Sequence, residues 1–160
     1  MDRIIIRDKR CTGCSMCRTA CALYNDAVNN PSKARIFIIT DWHARLSSPI
    51  LCYQCTNPPC VPPCPIPDTI VKDASTGIVS IDDETCIGCG LCASACPFGA
   101  ILQSEDRVVK CDYCGGDPQC VRFCETKAIE YVRGAGYGQE ERLELADKAL
   151  SRRRTKLELA

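Results

Sequence analysis

The chain has 160 residues, of which 16 are cysteine, 20 are Lys or Arg and 20 are Asp or Glu. The formal net charge of zero argues against a nucleic-acid or anionic-membrane binder, because such proteins present a strongly basic surface. The hydrophobic fraction of 46% includes the cysteines, so apolar side chains alone make a thin core. Cross-links of another kind must therefore hold the fold together.

Several short apolar stretches predict strands beside groups of cysteines, at residues 3–7, 34–40, 77–81 and 107–110. Two later stretches, 97–101 and 125–129, resemble each other, and each predicts a short helix followed by a strand. No stretch reaches the roughly 18 apolar residues of a membrane-spanning helix. A secretory signal is absent as well, so we expect a cytoplasmic protein with reduced thiols and no membrane partner.

The sixteen cysteines fall into four groups of four, here called the first to fourth quartets. The first and third have the spacing C-x2-C-x2-C-x3-C, and the second and fourth lengthen the middle gap to four and five residues. A proline follows the second and third quartets, whereas Ala22 and Glu125 follow the others. In order, the quartets are Cys11, Cys14, Cys17 and Cys21; Cys52, Cys55, Cys60 and Cys64; Cys86, Cys89, Cys92 and Cys96; and Cys111, Cys114, Cys120 and Cys124.

Three kinds of cross-link use cysteines in such numbers. A disulfide framework belongs to oxidising compartments, and these cysteines are too closely spaced for routine bridging. Structural zinc usually takes two C-x2-C pairs that a longer loop separates, so zinc is a remote alternative. Three close cysteines and a fourth carried away at the start of a helix are typical of 4Fe–4S ligation, and residues 86–97 match the bacterial two-cluster motif including its proline. The fourfold repetition favours iron.

The remaining motifs indicate no chemistry of their own. Gly13, Gly88 and Gly90 are expected to let backbone amides approach sulfur atoms. Trp42 and His43 form a pair that favours packing or an interface over metal ligation. Since every cysteine belongs to a quartet, no nucleophile is available for a catalytic pair, and we expect no catalytic residues.

Composition changes after residue 132. The glycine-rich stretch 133–138 predicts a hinge and lacks the arrangement of a phosphate-binding loop. Residues 139–160 predict an amphipathic helix, with apolar side chains at helical spacing in Leu143, Ala146, Leu150 and Leu157. Such a tail docks on its own domain, on a partner subunit or on another copy of the chain.

Residues 1–132 resemble the four-cluster, ferredoxin-like electron-transfer subunits of molybdenum and tungsten oxidoreductases, and the order of the four quartets carries the resemblance. It implies an α+β fold of two ferredoxin-like modules with short strands and helices around four 4Fe–4S clusters. One module combines the first and fourth quartets, and the other combines the second and third. The helical tail is additional.

The resemblance also implies that paired quartets exchange their fourth cysteines. The four resulting ligand sets are set A, Cys11, Cys14, Cys17 and Cys124; set B, Cys111, Cys114, Cys120 and Cys21; set C, Cys52, Cys55, Cys60 and Cys96; and set D, Cys86, Cys89, Cys92 and Cys64. All sixteen iron ligands are present.

The function that the resemblance implies is relay of single electrons between a catalytic tungsten- or molybdenum-pterin subunit and a further redox partner, a ferredoxin or a flavin subunit. The small subunits of cytoplasmic tungsten aldehyde oxidoreductases are the nearest group. A free-standing polyferredoxin and a zinc-stapled interaction module are the alternatives. Self-association through the tail is a further expectation.

Overall fold

The computed structural model describes residues 2–103 and 107–133. Within them, short strands alternate with helices and with 3-10 turns at Asp8–Arg10, Pro31–Lys33 and Tyr113–Gly116. The strands are β1 Arg3–Ile6, β2 Phe37–Asp41, β3 Leu46–Ile50, β4 Ile70–Lys72, β5 Val79–Ile81, β6 Ile101–Gln103, β7 Val108–Lys110 and β8 Ile129–Val132. The helices are α1 Met16–Asp26, α2 Leu91–Ser94 and α3 Gln119–Arg122. The predicted tail, 139–160, and all of the predicted hinge except Arg133 lie outside the described residues.

The strands form two-stranded antiparallel sheets, and the sheet of β1 and β8 joins the beginning of the described chain to its end. The other sheets are β2 with β3, β4 with β5, and β6 with β7. In the first sheet, Ile4 lies opposite Tyr131. Because β1 precedes the first quartet and β8 follows the fourth, this pairing brings those two quartets to one end of the fold.

Most strand predictions are confirmed, and the helix predicted at the start of two segments is wrong. Each of the four strand stretches contains a strand, and β6 and β8 occupy the expected ends of segments 97–101 and 125–129. These segments begin with turns, in which Gly99 and Lys127 donate backbone N–H groups to the carbonyls of Cys96 and Cys124. Both donors have positive φ, 59° and 52°, which an α-helix excludes.

Two buried cores lie inside the sheets, and cysteines supply much of both. The first contains apolar side chains from β1, α1, β8 and the connecting loops together with Cys17, Cys21, Cys52, Cys111 and Cys120. The second contains Ile70, Val79, Ile101 and Val108 together with Cys60 and Cys92. Cys96 packs against both cores. The ordinary apolar core is small, as the composition predicts.

A helix able to cross a bilayer would need more length and more apolar character than any helix in the described ranges has.

Candidate iron–sulfur centres

Each quartet begins with the same backbone bend. The residue before the second cysteine has positive φ in all four quartets: Gly13 at 74°, Gln54 at 48°, Gly88 at 68° and Tyr113 at 57°. This bend turns the N–H of that residue back toward the first cysteine of its quartet. Gln54 donates its backbone N–H to Cys52 Sγ at 3.4 Å, and Cys11 and Cys111 accept from Gly13 and Tyr113.

The repeated bend identifies a common loop despite the different spacings. Gln54 and Tyr113 adopt a conformation that costs an L residue roughly 1–2 kcal/mol, so the loop and not the residue type imposes it. Gly90 also has positive φ, 73°, and a Cβ there would lie 2.2 Å from Gln103 Oε1. Replacement of Gly90 is therefore opposed both by its backbone conformation and by the space that Gln103 occupies. Gln54 and Tyr113, in contrast, adopt the bend of Gly13 and Gly88 without being glycine.

Helices carry the third cysteine of three quartets, which corrects the expectation that the fourth cysteine begins a helix. Cys17, Cys92 and Cys120 lie in α1, α2 and α3. Cys96 and Cys124 follow the ends of α2 and α3, and the longer α1 also includes Cys21. The third cysteine is therefore the second residue of each helix, and the fourth lies four residues further along.

Two cavities each collect cysteines from two quartets. One is lined by Cys52, Cys55 and Cys60 together with Cys96 of the third quartet. The other is lined by Cys86, Cys89 and Cys92 together with Cys64 of the second quartet. Tyr53 and Phe98 pack with ring centroids 4.6 Å apart beside the first cavity and line it. The neighbours in these cavities are those of sets C and D.

At the other end of the fold, the thiols influence one another across quartets. Cys124 contributes to the raised pKa of Cys11 and Cys17, although burial contributes more. Cys21 contributes in the same way to the raised pKa values of the first three cysteines of the fourth quartet, again after burial: Cys111, Cys114 and Cys120. These electrostatic neighbours are those of sets A and B.

The sixteen thiols all lie in the described residues, and none forms a disulfide. A zinc ion bound by four thiolates at about 2.3 Å holds their sulfur atoms about 3.8 Å apart. No three His, Cys, Asp or Glu side chains in residues 2–103 and 107–133 converge in a way that holds one metal ion. The preference for iron over zinc therefore rests on the spacing and the repetition of the quartets.

Burial raises the pKa of several of the thiols, and most of all in the first and fourth quartets. It raises the pKa of Cys17 to about 11, and neighbouring thiols add to the effect. Burial also raises the pKa of Cys111 and Cys120, and neighbouring thiols again add to the effect. The metal-free thiols of Cys17, Cys111 and Cys120 are therefore protonated at neutral pH, and iron must displace those protons when it binds.

Backbone N–H groups reach the fourth cysteine of three quartets. Cys96 accepts from Ala100 at 3.4 Å and Cys124 accepts from Ala128 at 3.2 Å, each four residues further along the chain. Cys21 accepts from the Arg35 N–H at 3.2 Å. Cys64 differs, because its thiol donates to the Ile66 carbonyl at 3.4 Å. Such N–H donors stabilise a thiolate ligand and raise the reduction potential of the cluster that it holds.

Exposure separates the outer sets from the inner ones. Cys14 of set A and Cys89 of set D are exposed, and sets B and C contain no exposed cysteine. Cys120 of set B is influenced by Cys17 of set A, and Cys111 of set B by Cys52 of set C. Cys96 of set C packs in the core that contains Cys92 of set D. The sets thus follow one another in the order A, B, C and D.

Residues 43–133 match the family described as 4Fe–4S dicluster domain, and this stretch contains the second, third and fourth quartets. The chain belongs to this family. The match does not include the first quartet. That quartet nevertheless packs against the matched residues, because β1 contacts β8 and α1 contacts α3.

The similarity to individual relatives covers most of the chain. The chain is 35% identical over 136 residues to an aliphatic sulfonate oxidoreductase, polyferredoxin-like subunit, of Pyrococcus furiosus, covering 82% of this chain and 78% of that one. It is 40% identical over 133 residues to an uncharacterized ferredoxin of Methanocaldococcus jannaschii, covering 82% and 73%. A component of the anaerobic dimethyl sulfoxide reductase of Escherichia coli is 32% identical over 146 residues, covering 79% and 70%.

A polypeptide of the active site complex BamBC of benzoyl coenzyme A reductase has a similar fold, with a TM-score of 0.50 and 22% identity. The alignment covers 94% of this chain and 89% of that polypeptide. At this identity the likeness concerns the fold.

The structure corrects one expectation from the sequence, on Trp42, and shows one feature that the sequence did not indicate, the burial of Lys110 and Gln54. Trp42 is 83% exposed, so the packing role foreseen for it is wrong and an interface role stays a prediction. Lys110 and Gln54 are buried polar residues, 4% and 6% exposed, between the two cores. A lysine before a cysteine gives no signal of burial, and only the contacts of its amine identify it.

Proposed function

We propose that this protein is an iron–sulfur electron-transfer subunit of an oxidoreductase complex, with no catalytic residues of its own. The repeated loop, with the fourth cysteine of each quartet placed among the cysteines of another, carries the proposal. Four 4Fe–4S clusters, when bound, supply the one-electron steps. The chain holds them in series and limits the access of water to the inner two.

We assign the ligands as sets A to D. The cavities lined by sets C and D and the electrostatic neighbours in sets A and B support this assignment. It divides the chain into two modules, one at each end of the row. One relative is named a polyferredoxin-like subunit, which supports several clusters in one small chain.

The two ends of the row suit two different partners. At the set A end, Met16 lies beside the exposed Cys14 and is itself exposed. At the set D end, Ile87 and Leu91 are exposed on either side of Cys89. Exposed apolar side chains around an exposed ligand favour protein contact and close approach of a second redox centre.

We propose a catalytic tungsten- or molybdenum-pterin subunit at one end and a ferredoxin or flavin subunit at the other. The names of the relatives, which include a sulfonate oxidoreductase subunit and a component of dimethyl sulfoxide reductase, support a catalytic partner. The pterin metal comes from the family resemblance, and a tungsten aldehyde oxidoreductase is the most specific form of the proposal. A cytoplasmic location and self-association through residues 139–160 complete it.

The partner is tested by anaerobic affinity purification of the full chain from its native host, with iron, zinc, molybdenum and tungsten measured in one eluate. A co-purifying large subunit with molybdenum or tungsten is the expected result. Iron without a partner subunit would indicate a free polyferredoxin instead. Zinc without iron would refute the electron-transfer function.

The ligand assignment is tested by paired substitutions and the EPR spectrum of the reduced protein. Cys124→Ser and Cys11→Ser should change the same signal, because both residues belong to set A. Cys120→Ser is the matched control from the fourth quartet and should change a different signal. If Cys124→Ser instead changes the signal that Cys120→Ser changes, the fourth cysteines are not exchanged.

A further inference from the structure

A buried lysine lies at the junction of sets B and C. Lys110 is the last residue of β7, directly precedes Cys111, and is 4% exposed. It also lines the cavity that collects set C. A charged side chain is rarely buried without a partner, because its removal from water is unfavourable unless hydrogen bonds or an opposite charge compensate for the lost solvation.

The contacts of Lys110 require an ammonium group. Its Nζ donates to Gln54 Oε1 at 3.1 Å, to the Cys111 carbonyl at 3.1 Å and to the Val79 carbonyl. All three are acceptors that have no proton to give. An ammonium has three N–H donors and a neutral amine has two, so three simultaneous acceptors match the charged form.

No carboxylate balances this charge in the described part of the chain. None of the ion pairs between described residues includes Lys110. Asp112, two residues further along, pairs with Arg35 at 3.6 Å. Asp83 and Asp112 line a separate polar cleft that Lys110 also borders, but neither carboxylate is among the hydrogen-bond partners of its Nζ.

The surrounding thiols provide the missing negative charge once they are ligands. The positive charge of Lys110 lowers the pKa of Cys55 and Cys60 in set C and of Cys111 in set B, against the larger raising effect of burial. Gln54 fixes the position of the ammonium, because its amide also accepts from Val79 N–H at 2.8 Å and donates to the Cys111 carbonyl at 2.8 Å.

We propose that Lys110 is a fixed internal cation that raises the reduction potentials of the two inner clusters, those of sets B and C, relative to the outer two. The inference rests on the proposed function. Reduction adds one negative charge to a cluster, and a neighbouring ammonium stabilises that charge. The two inner clusters are therefore reduced before the outer two, and an electron held there can be transferred toward either end of the row.

The test is a redox titration of the purified full chain, followed by EPR, for the wild type and for Lys110→Met. Two of the four midpoint potentials should fall, each by at least a tenfold change in the reduction equilibrium, which equals 59 mV for one electron. A unit charge in the interior, at an effective dielectric of about 20, is sufficient for a change of this size. Ligand substitutions identify the two signals as those of sets B and C.

Two further variants separate charge from packing. Lys110→Arg keeps the charge and should leave the two potentials near those of the wild type. Lys33→Met removes the same charge from an exposed position in a 3-10 turn and should leave all four unchanged. If Lys110→Met leaves all four potentials unchanged, or shifts all four equally, the proposal is wrong.

If Lys110→Met takes up no iron, the proposal is tested instead by a measurement that leaves Lys110 in place. Pulsed EPR of protein labelled with 15N at the lysine side-chain nitrogen only should show a nitrogen coupling on the signals of sets B and C only, and its absence there would overturn the proposal. The labelled protein carries Lys72→Met, because Lys72 Nζ donates to the carbonyl of Cys55 in set C at 3.0 Å and would give a coupling of its own. A wild-type chain that binds no iron would refute the proposed function itself. Iron measured in every sample therefore tells the two failures apart.

Discussion

Replacing Tyr113 with Phe tests whether the Tyr113 hydroxyl, in the loop of the fourth quartet, helps to hold β1 and the second quartet in place. The Tyr113 ring is 1% exposed. Its hydroxyl donates to the Cys52 carbonyl at 3.2 Å and accepts from the Ile4 N–H at 3.4 Å. It also packs edge-on against Tyr131, with ring centroids 5.8 Å apart. One hydroxyl thus links β1, the second quartet and the fourth quartet.

Tyr113→Phe keeps the ring and removes the hydroxyl, so a buried carbonyl and a buried N–H lose this partner. The loss of a hydrogen-bond partner by buried polar groups lowers the free energy of unfolding by roughly 1–3 kcal/mol. A cost of about 2 kcal/mol changes the equilibrium for opening the core roughly thirtyfold. We expect the iron-loaded variant to lose its visible absorption roughly thirtyfold faster than the wild type, in dilute denaturant without oxygen.

The matched control is Tyr24→Phe, because Tyr24 is 56% exposed on α1. Its loss of absorption should stay within about twofold of the wild type, since surface substitutions usually change stability by less than about 0.5 kcal/mol. If Tyr113→Phe bleaches at the rate of the control, the hydroxyl does not hold the quartets together and the reasoning is refuted.

Two other predictions concern the loops and the thiols. Gly90→Ala should release iron severalfold faster than Gly99→Ala. Both positions have positive φ, but only at Gly90 does the new Cβ meet another side chain, that of Gln103, which must move and give up its hydrogen bond to the Gly88 carbonyl; equal rates, measured with an iron chelator, would contradict this. Burial raises the pKa of Cys17 to about 11, so the thiol loses a proton when it binds iron and lower pH opposes binding. Reconstitution of the metal-free chain should therefore be weaker at about pH 6.5 than at about pH 8.5, and equal iron uptake at both would count against protonated thiols.

Local patterns predicted much of this fold, and tertiary contacts decided the rest. The quartets and their neighbouring strands follow from spacing and apolar runs, which are properties of adjacent residues. The strand β3 was missed because Leu46–Ile50 includes two serines and a proline; Pro49 is accommodated because β3 pairs with β2 alone. The strand β4, Ile70–Lys72, was missed as well.

The site divides in the same way. All sixteen candidate ligands were visible in the sequence, but the bend before each second cysteine was visible only where glycine occupies it, at Gly13 and Gly88. Gln54 and Tyr113 adopt the same bend without a local signal. The burial of Lys110 was also hidden, because its three acceptors come from β5, from the loop of the second quartet and from Cys111, which only the fold brings together.

The central claim is that one chain holds four clusters through sixteen cysteines, and a count of iron tests it most directly. The full chain, purified without oxygen, is analysed for iron, zinc and acid-labile sulfide per polypeptide, with Mössbauer spectra to identify the cluster type. The account predicts about sixteen irons and about sixteen sulfides, all in 4Fe–4S clusters. About eight irons, or zinc in place of iron, would contradict it.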